Sequence, residues 1–321
     1  MRLRTFQITA SVLVAGCYHL LLISGASQEL LLLALAVPLV CFLGIPHGAT
    51  DHVLHNFEES GVISTRVRLS FLGNYLFKLG AYAVVWFFFP TFSLVVFLVL
   101  SAFHFGETQW TIASPSAALP KIIRPILFIS WGISLLFIFF FLYPEETLSY
   151  TEGLRPSYQP VHFRYFMLNI AGVAFAIWLS VAVNHLEAKE VLQHLVEFAL
   201  IVFLVWSTNL LTGFAIFFGV WHSMDAISLQ LSGLKKAGKF TLMDFTRAAL
   251  PFSLISIAGI VLVLSAWRYL NIQMSPYALF LVLISLLTLP HQGEVSRFYT
   301  KSFNTNLYHA IRKNISAARH R

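Results

Sequence analysis

The chain has 321 residues, 58% of them hydrophobic and 11% charged, with 31 phenylalanines. A soluble domain carries about a quarter charged residues and under about half apolar ones, so a soluble globular enzyme is excluded. The formal net charge of +7 does not point to nucleic acid, because the basic residues sit between apolar runs and form no basic face with interleaved aromatics.

A membrane helix needs about 20 mostly apolar residues, and such runs follow one another nearly end to end. Charges, prolines and glycines divide them into about ten spans (8–10): 6–25, 30–47, 69–89, 91–110, 122–143, 163–183, 195–210, 212–230, 250–269 and 276–292. The fold expected is an all-α, polytopic membrane helix bundle forming one integral membrane domain over 1–321. Its motif-bearing core covers about 30–295 and a basic tail about 296–321. Cys17 and Cys41 both lie in apolar runs, which leaves no disulfide framework and no cysteine metal site.

The first span, opened by MRLRTF and closed by Ser24-Gly25-Ala26, also has the form of a cleavable signal peptide. The second ends in GIPHGATDHVLH, which gathers His47, Asp51, His52 and His55. The third and fourth part at Phe89-Pro90-Thr91, and the fourth contains SAFHFGETQW with His104 and Glu107. The seventh and eighth part at Ser207-Thr208-Asn209 and Gly213, with one long broken helix as the other reading. The eighth carries FGVWHSMDA with His222 and Asp225, and the tenth ends in TLPHQGE with His291 and Glu294.

Basic loops resist translocation. Of the 21 Lys and Arg, all but Arg155, Arg164, Arg268 and the intramembrane Lys78 fall on one side of a ten-span topology. Both termini are therefore expected in the cytoplasm, in a multi-pass protein of the cell (inner) membrane. The second, fourth, eighth and tenth spans then all run inward and bring four histidines to the inner half of the membrane. Each has an acid one turn further on: Asp51, Glu107, Asp225 and Glu294. Residues three or four apart share a helix face, and an acid there can hold a ligand imidazole in one tautomer or be a ligand itself. Ionisable groups at this depth are costly and mark functional sites.

The other histidines separate by position. His19 reads as structural, and His55 as supporting or surface. His162, His185, His194, His309 and His320 read as solvated loop or end residues. His52, one residue beyond Asp51, stays a candidate ligand. Imidazoles with carboxylates and no thiolate suit iron, zinc, copper or manganese. Zinc in an intramembrane protease would call for HExxH, which is absent.

At these residues the chain resembles the Brp/Blh family of membrane-embedded β-carotene 15,15′-dioxygenases. The resemblance rests on Pro46-His47-Gly48-Ala49 with Asp51, Phe103-His104-Phe105-Gly106, His222-Ser223 and Pro290-His291, in family order over residues 44 to 291. It implies a multi-helix fold, Fe(II) as cofactor, and cleavage of the central double bond of β-carotene with O2 into two molecules of retinal. A retinal-accepting rhodopsin would be the downstream partner. The family pattern places metal ligands at His47, His104 and His222, and a further histidine in a His-Ser-x-x-His sequence. Here that last position is Ala226, so His52, His291 or Asp225 must fill the gap. Asp51, Glu107 and Glu294 are the expected supporting acids.

An apolar polyene would be gripped in an aromatic-lined tunnel. Trp86, Phe87, Phe88, Phe103, Phe105, Trp110, Phe217, Phe218 and Trp221 are the candidate lining, and Phe103, Phe105, Trp110, Phe218 and Trp221 are the ones nearest the histidine motifs. Two other readings remain. A membrane di-iron desaturase or hydroxylase would use histidine boxes, of which PHGATDHVLH carries a partial form without any paired His-His. A proton-coupled transporter would use intramembrane His–acid pairs, but should show internal duplication, and none is evident.

Overall fold

Proline, glycine and capping side chains end each apolar run, and the computed structural model of the protein turns those stops into helix ends. It describes residues 2–56, 65–113, 120, 122–237, 240–270 and 274–319. Among the described residues there are helices and turns but no strand. The expected basic positions Lys121, Lys239 and Arg321, and His320, lie outside the described residues.

In chain order the helices are α1 (Arg2–Ile23), α2 (Gln28–His55), α3 (Thr65–Phe88), α4 (Pro90–Ala113), α5 (Ile123–Leu142) and the short α6 (Pro144–Tyr150). They continue with α7 (Pro160–His185), α8 (Ala188–Trp206), α9, α10 (Leu242–Leu270) and α11 (Pro276–Arg319). Helix α9 joins Leu210–Ala215, Ile216–Ser223 and Met224–Ala237 head to tail. Among the described residues nine helices are long and apolar enough to cross a membrane: α1–α5, α7 and α9–α11.

Helix α8 accounts for the tenth expected span. A capping box between Glu187 and Glu190 starts it at Ala188, seven residues before the predicted boundary, and so draws Lys189 and Glu190 into the helix. Its 19 residues reach about 28 Å. The expected break before α9 is real: Asn209 caps α9 by accepting from the Thr212 N–H at 2.8 Å.

Side-chain contacts put the helix ends in register. At one end the Tyr143 hydroxyl meets the carbonyls of Val205, Trp206 and Thr208 at 2.8, 3.1 and 3.1 Å, and Asn209 donates to Gln28 at 2.9 Å. The starts of α2 and α9 therefore lie level with the ends of α5 and α8. His47 and His222, far along α2 and α9, lie toward the opposite end.

Two structural signs place this bundle in lipid. Large apolar side chains face outward, among them Phe77, Phe87 and Leu262, while His47, Asp225 and Gln230 are enclosed. An exposed apolar surface of this extent belongs against hydrocarbon. Packing inside is close: the missing side chains of Gly106 and Gly132 let α4 and α5 meet backbone to backbone, at the carbonyls of Phe128 and Ala102. Small residues at such crossings are how membrane helices gain contact without a hydrophobic drive. This crossing holds the part of α4 that carries His104.

Candidate metal centre

Three runs of wider, π-type turns shape the site. Leu32–Ala36 and Val40–Gly44 interrupt α2 on either side of Pro38, whose missing N–H breaks the regular ladder. Ile216–Ser223 in α9 contains His222. Such turns are rare and recur at functional sites, because each changes the direction in which later side chains point. The α2 and α9 runs pack directly on each other: a side chain at Gly219 would approach the Leu39 carbonyl to 3.0 Å. Pro38 and Gly44 mark the interruption of α2 in the sequence, whereas the run in α9 carries no such mark.

The result is convergence. His47, His104 and His222 can each offer a ring nitrogen such that all three nitrogens lie within 4.8 Å of one another, and all three residues are buried. His291 joins them, with its ring centroid 5.0 Å from that of His47 and 4.9 Å from that of His104. The other ring separations are 4.6 Å for His104–His222, 5.2 Å for His47–His222 and 6.1 Å for His47–His104. Four helices, α2, α4, α9 and α11, thus supply one histidine each.

The outward-facing nitrogens of His47 and His291 have protein partners. His47 Nδ1 meets the Gly44 carbonyl, with Ser223 Oγ at 3.2 Å. His291 Nδ1 meets Asp51 Oδ1 at 2.7 Å. With those protons donated outward, the opposite nitrogens are left as lone-pair donors. His47 Nε2 and His291 Nε2 are indeed buried without a hydrogen-bond partner, and His104 Nε2 faces His222 Nε2 at 3.1 Å. Two imidazole nitrogens at that distance can share one proton or bind one cation, and the unpartnered pair beside them favours a cation. The residues present fit a metal ion.

The supporting acids do not serve the histidine on their own helix. Asp51 holds His291 of α11 and accepts from the Tyr75 hydroxyl of α3 at 3.1 Å. Glu294 pairs with His55 at 2.9 Å. Glu107 accepts from Ser296 at 2.6 Å and Gln292 at 3.0 Å. Asp225 is taken by Arg4 at 2.8 Å and Gln7 at 2.7 Å. In each case the hydrogen-bonding partner of the acid comes from another helix.

Of the three residues expected to fill the Ala226 gap, the structure brings one to the rings. His291 is there; Asp225 is committed to α1, and the His52 ring lies 4.5 Å from Phe252 of α10. Of the aromatic candidates, Phe105 lies 4.7 Å from His222, and Phe218 lies 5.6 Å from His47 and 5.8 Å from His222. Phe103 packs on Phe128 at 5.8 Å, Trp110 on His194 at 4.0 Å, and the Trp221 indole donates to Ser11 at 3.0 Å. His194 corrects the expectation of a solvated loop residue: the early start of α8 buries it under Trp110.

Three further residues have roles here: Ser223 belongs to the His222-Ser223 motif, whereas Tyr75 and Gln230 were not singled out from sequence. Tyr75 reaches Asp51, and Ser223 reaches His47. Gln230 donates to the His47 carbonyl at 3.1 Å while accepting from Thr50, which secures the turn after His47. Tyr75 and Gln230 are polar residues in otherwise apolar spans, and that was the available signal.

Comparison with known proteins adds a family. The family model described as β-carotene 15,15′-dioxygenase matches residues 38–295. A protein named β-carotene 15,15′-dioxygenase from the uncultured marine bacterium 66A03 is 28% identical over 270 residues, covering 80% of this chain and 90% of that protein. No solved structure matches the chain.

Proposed function

The chain belongs to the β-carotene 15,15′-dioxygenase family, and from that premise we propose that it cleaves the central double bond of β-carotene with O2 to give two molecules of retinal. His47, His104, His222 and His291 would hold the Fe(II) ion that this reaction calls for, within the bilayer. The observation that carries this reading is the meeting of four imidazoles from four helices, with unpartnered nitrogens turned inward. His291 takes the place left by Ala226.

The overall chemistry balances without a reductant. One carbon–carbon double bond is broken, each of its carbons gains one oxygen atom of O2, and no proton enters or leaves. That stoichiometry calls for no general acid at the reacting carbons. Bound iron would supply the redox capacity that no side chain has.

The side chains do the rest. The Gly44 backbone carbonyl and the Asp51 carboxylate accept the protons on the outer nitrogens of His47 and His291, which fixes the tautomer of both rings and aims their other nitrogens inward. Tyr75 donates to the second Asp51 oxygen and fixes the carboxylate. Phe105 and Phe218 stand against the histidine rings, exclude water and offer flat faces to a polyene. Holding a long substrate on both sides of one bond is what would select the central position.

The surrounding assignment follows the charge pattern. A single integral domain lies in the cell (inner) membrane with both termini cytoplasmic, β-carotene arrives from the lipid, and a rhodopsin in the same membrane receives the product. A di-iron centre is disfavoured: among the described residues one histidine cluster forms, and His52 and His55 turn to Phe252 and Glu294. The test is expression in a β-carotene-producing bacterium, with pigment extraction and chromatography. Retinal in cells with the unaltered protein and none with His104→Ala is the expected result. Intact β-carotene despite inserted protein and ample iron would overturn the assignment.

A further inference from the structure

Helix α1 lies outside the residues matched by the family model, 38–295. Most of its surface is exposed, yet Gln7 and Ser11 are fully buried in it. The hydrogen bonds of these two to other helices, and one of the ion pairs of Arg4, converge on one place: the wide-turned stretch of α9 that carries His222, and the turn after it.

The contacts are specific to the irregular backbone. Gln7 Nε2 lies 3.2 Å from the carbonyl oxygens of both Val220 and Trp221, the two residues before His222. The same nitrogen is 2.7 Å from Asp225 Oδ1, and Gln7 Oε1 accepts from Arg4 at 2.9 Å. Arg4 then reaches Asp225 Oδ2 at 2.8 Å and Glu197 of α8 at 3.0 Å, with its guanidinium 5.6 Å from the Trp221 ring centre. Ser11 accepts the Trp221 indole N–H at 3.0 Å. Wider turns leave backbone carbonyls poorly served by the helix itself, and inside a membrane an unserved carbonyl costs several kcal/mol. Unlike the runs in α2, which flank Pro38, this one lies in a helix without proline.

We propose that α1 is part of the catalytic apparatus as a positioning element. Gln7, Arg4 and Ser11 hold the wide turns of α9 in the form that aims His222 at the other three histidines. An ordinary α-helical ladder through 216–223 would rotate His222 relative to the residues before it and take its nitrogen away from His104. This inference rests on the metal centre proposed above, and it places one determinant of that centre in a helix beyond the family's shared core.

The test uses the full chain purified in detergent and loaded anaerobically with Co(II), whose visible absorption reports ligand number and geometry. Gln7→Leu removes the donor while keeping bulk, and Ser11→Ala is a milder second variant that frees the indole. Leu13→Ala, on the exposed face of the same helix, is the control. Expected for Gln7→Leu is a changed Co(II) spectrum and about tenfold or greater loss of metal affinity, the size typical of residues that orient ligands. Ser11→Ala should shift in the same direction by less, and Leu13→Ala should match the unaltered protein. A role in stability alone would lower the melting temperature and leave the Co(II) spectrum and affinity unchanged, and that result overturns the proposal. If Gln7→Leu does not fold, Ser11→Ala decides on the same criterion. An unaltered protein that takes up no Co(II) would instead defeat the metal-centre reading itself, so the two failures are distinguishable.

Discussion

Asp51 of α2 binds His291 of α11, 240 residues away, at 2.7 Å, rather than His47 one turn before it on its own helix. One carboxylate oxygen holds the His291 proton and the other accepts from Tyr75. A ligand imidazole oriented by a buried carboxylate is a recurrent arrangement at metal sites, and its loss typically costs about 10–100-fold in metal affinity or activity. Asp51→Ala should therefore weaken Fe(II) binding about 10–100-fold, measured by anaerobic titration of the purified protein. Tyr75→Phe should weaken it less, since Asp51 keeps its bond to His291. Equal affinity in Asp51→Ala and the unaltered protein would show that His291 needs no such support.

The α4–α5 crossing leaves no room for a side chain. A methyl group at Gly132 would enter the space of the Ala102 carbonyl. Gly132→Ala should lower stability by about 1–3 kcal/mol or more, as overpacked sites do, and carry His104 out of position. Thermal unfolding in detergent followed by iron content would show both losses together. Retention of either property would mean that the two helices can separate without disturbing the site.

Ala226 stands where the family pattern has a histidine, and it is fully buried. With His291 already among the rings, Ala226→His does not complete a site but crowds one. The expected outcome is a lower melting temperature and no gain in retinal formation. A rise in activity would instead point to an incomplete ligand set in the natural chain.

Removal of the metal should act on stability as well as on turnover. A ligand that binds only the folded state at 100 times its dissociation constant stabilises it by about 2.7 kcal/mol. Chelation under anaerobic conditions should lower the melting temperature and abolish retinal formation. Fe(II) should restore both, while Zn(II) should restore stability alone. Full activity after complete chelation would exclude metal chemistry at these histidines.

The legible part of this architecture was what a linear chain can carry. Apolar runs and the charges, prolines and glycines between them located the helices, and His47, His104, His222 and His291, expected together from their positions along them, do meet. The start of α8 was missed because its capping box lies among charges that look like loop, and His194 was misplaced with it. The acids were found but their partners were not. The rule that residues three or four apart share a face describes one helix, whereas Asp51, Glu107, Asp225 and Glu294 chose partners across helices. The wide turns of α9, unlike those flanking Pro38 in α2, leave no residue signature, and neither does the contact that Gln7 makes with them across 213 residues.

The central claim is that four histidines hold one iron, and X-ray absorption at the iron edge of the anaerobically loaded protein tests it most directly. The account predicts about one iron per chain and a first shell of about four imidazole nitrogens at roughly 2.0–2.2 Å, near the range for imidazole on first-row metals. It also predicts that His291→Ala removes one nitrogen scatterer from that shell. A shell unchanged by His291→Ala, or a loaded protein without bound iron, would contradict it.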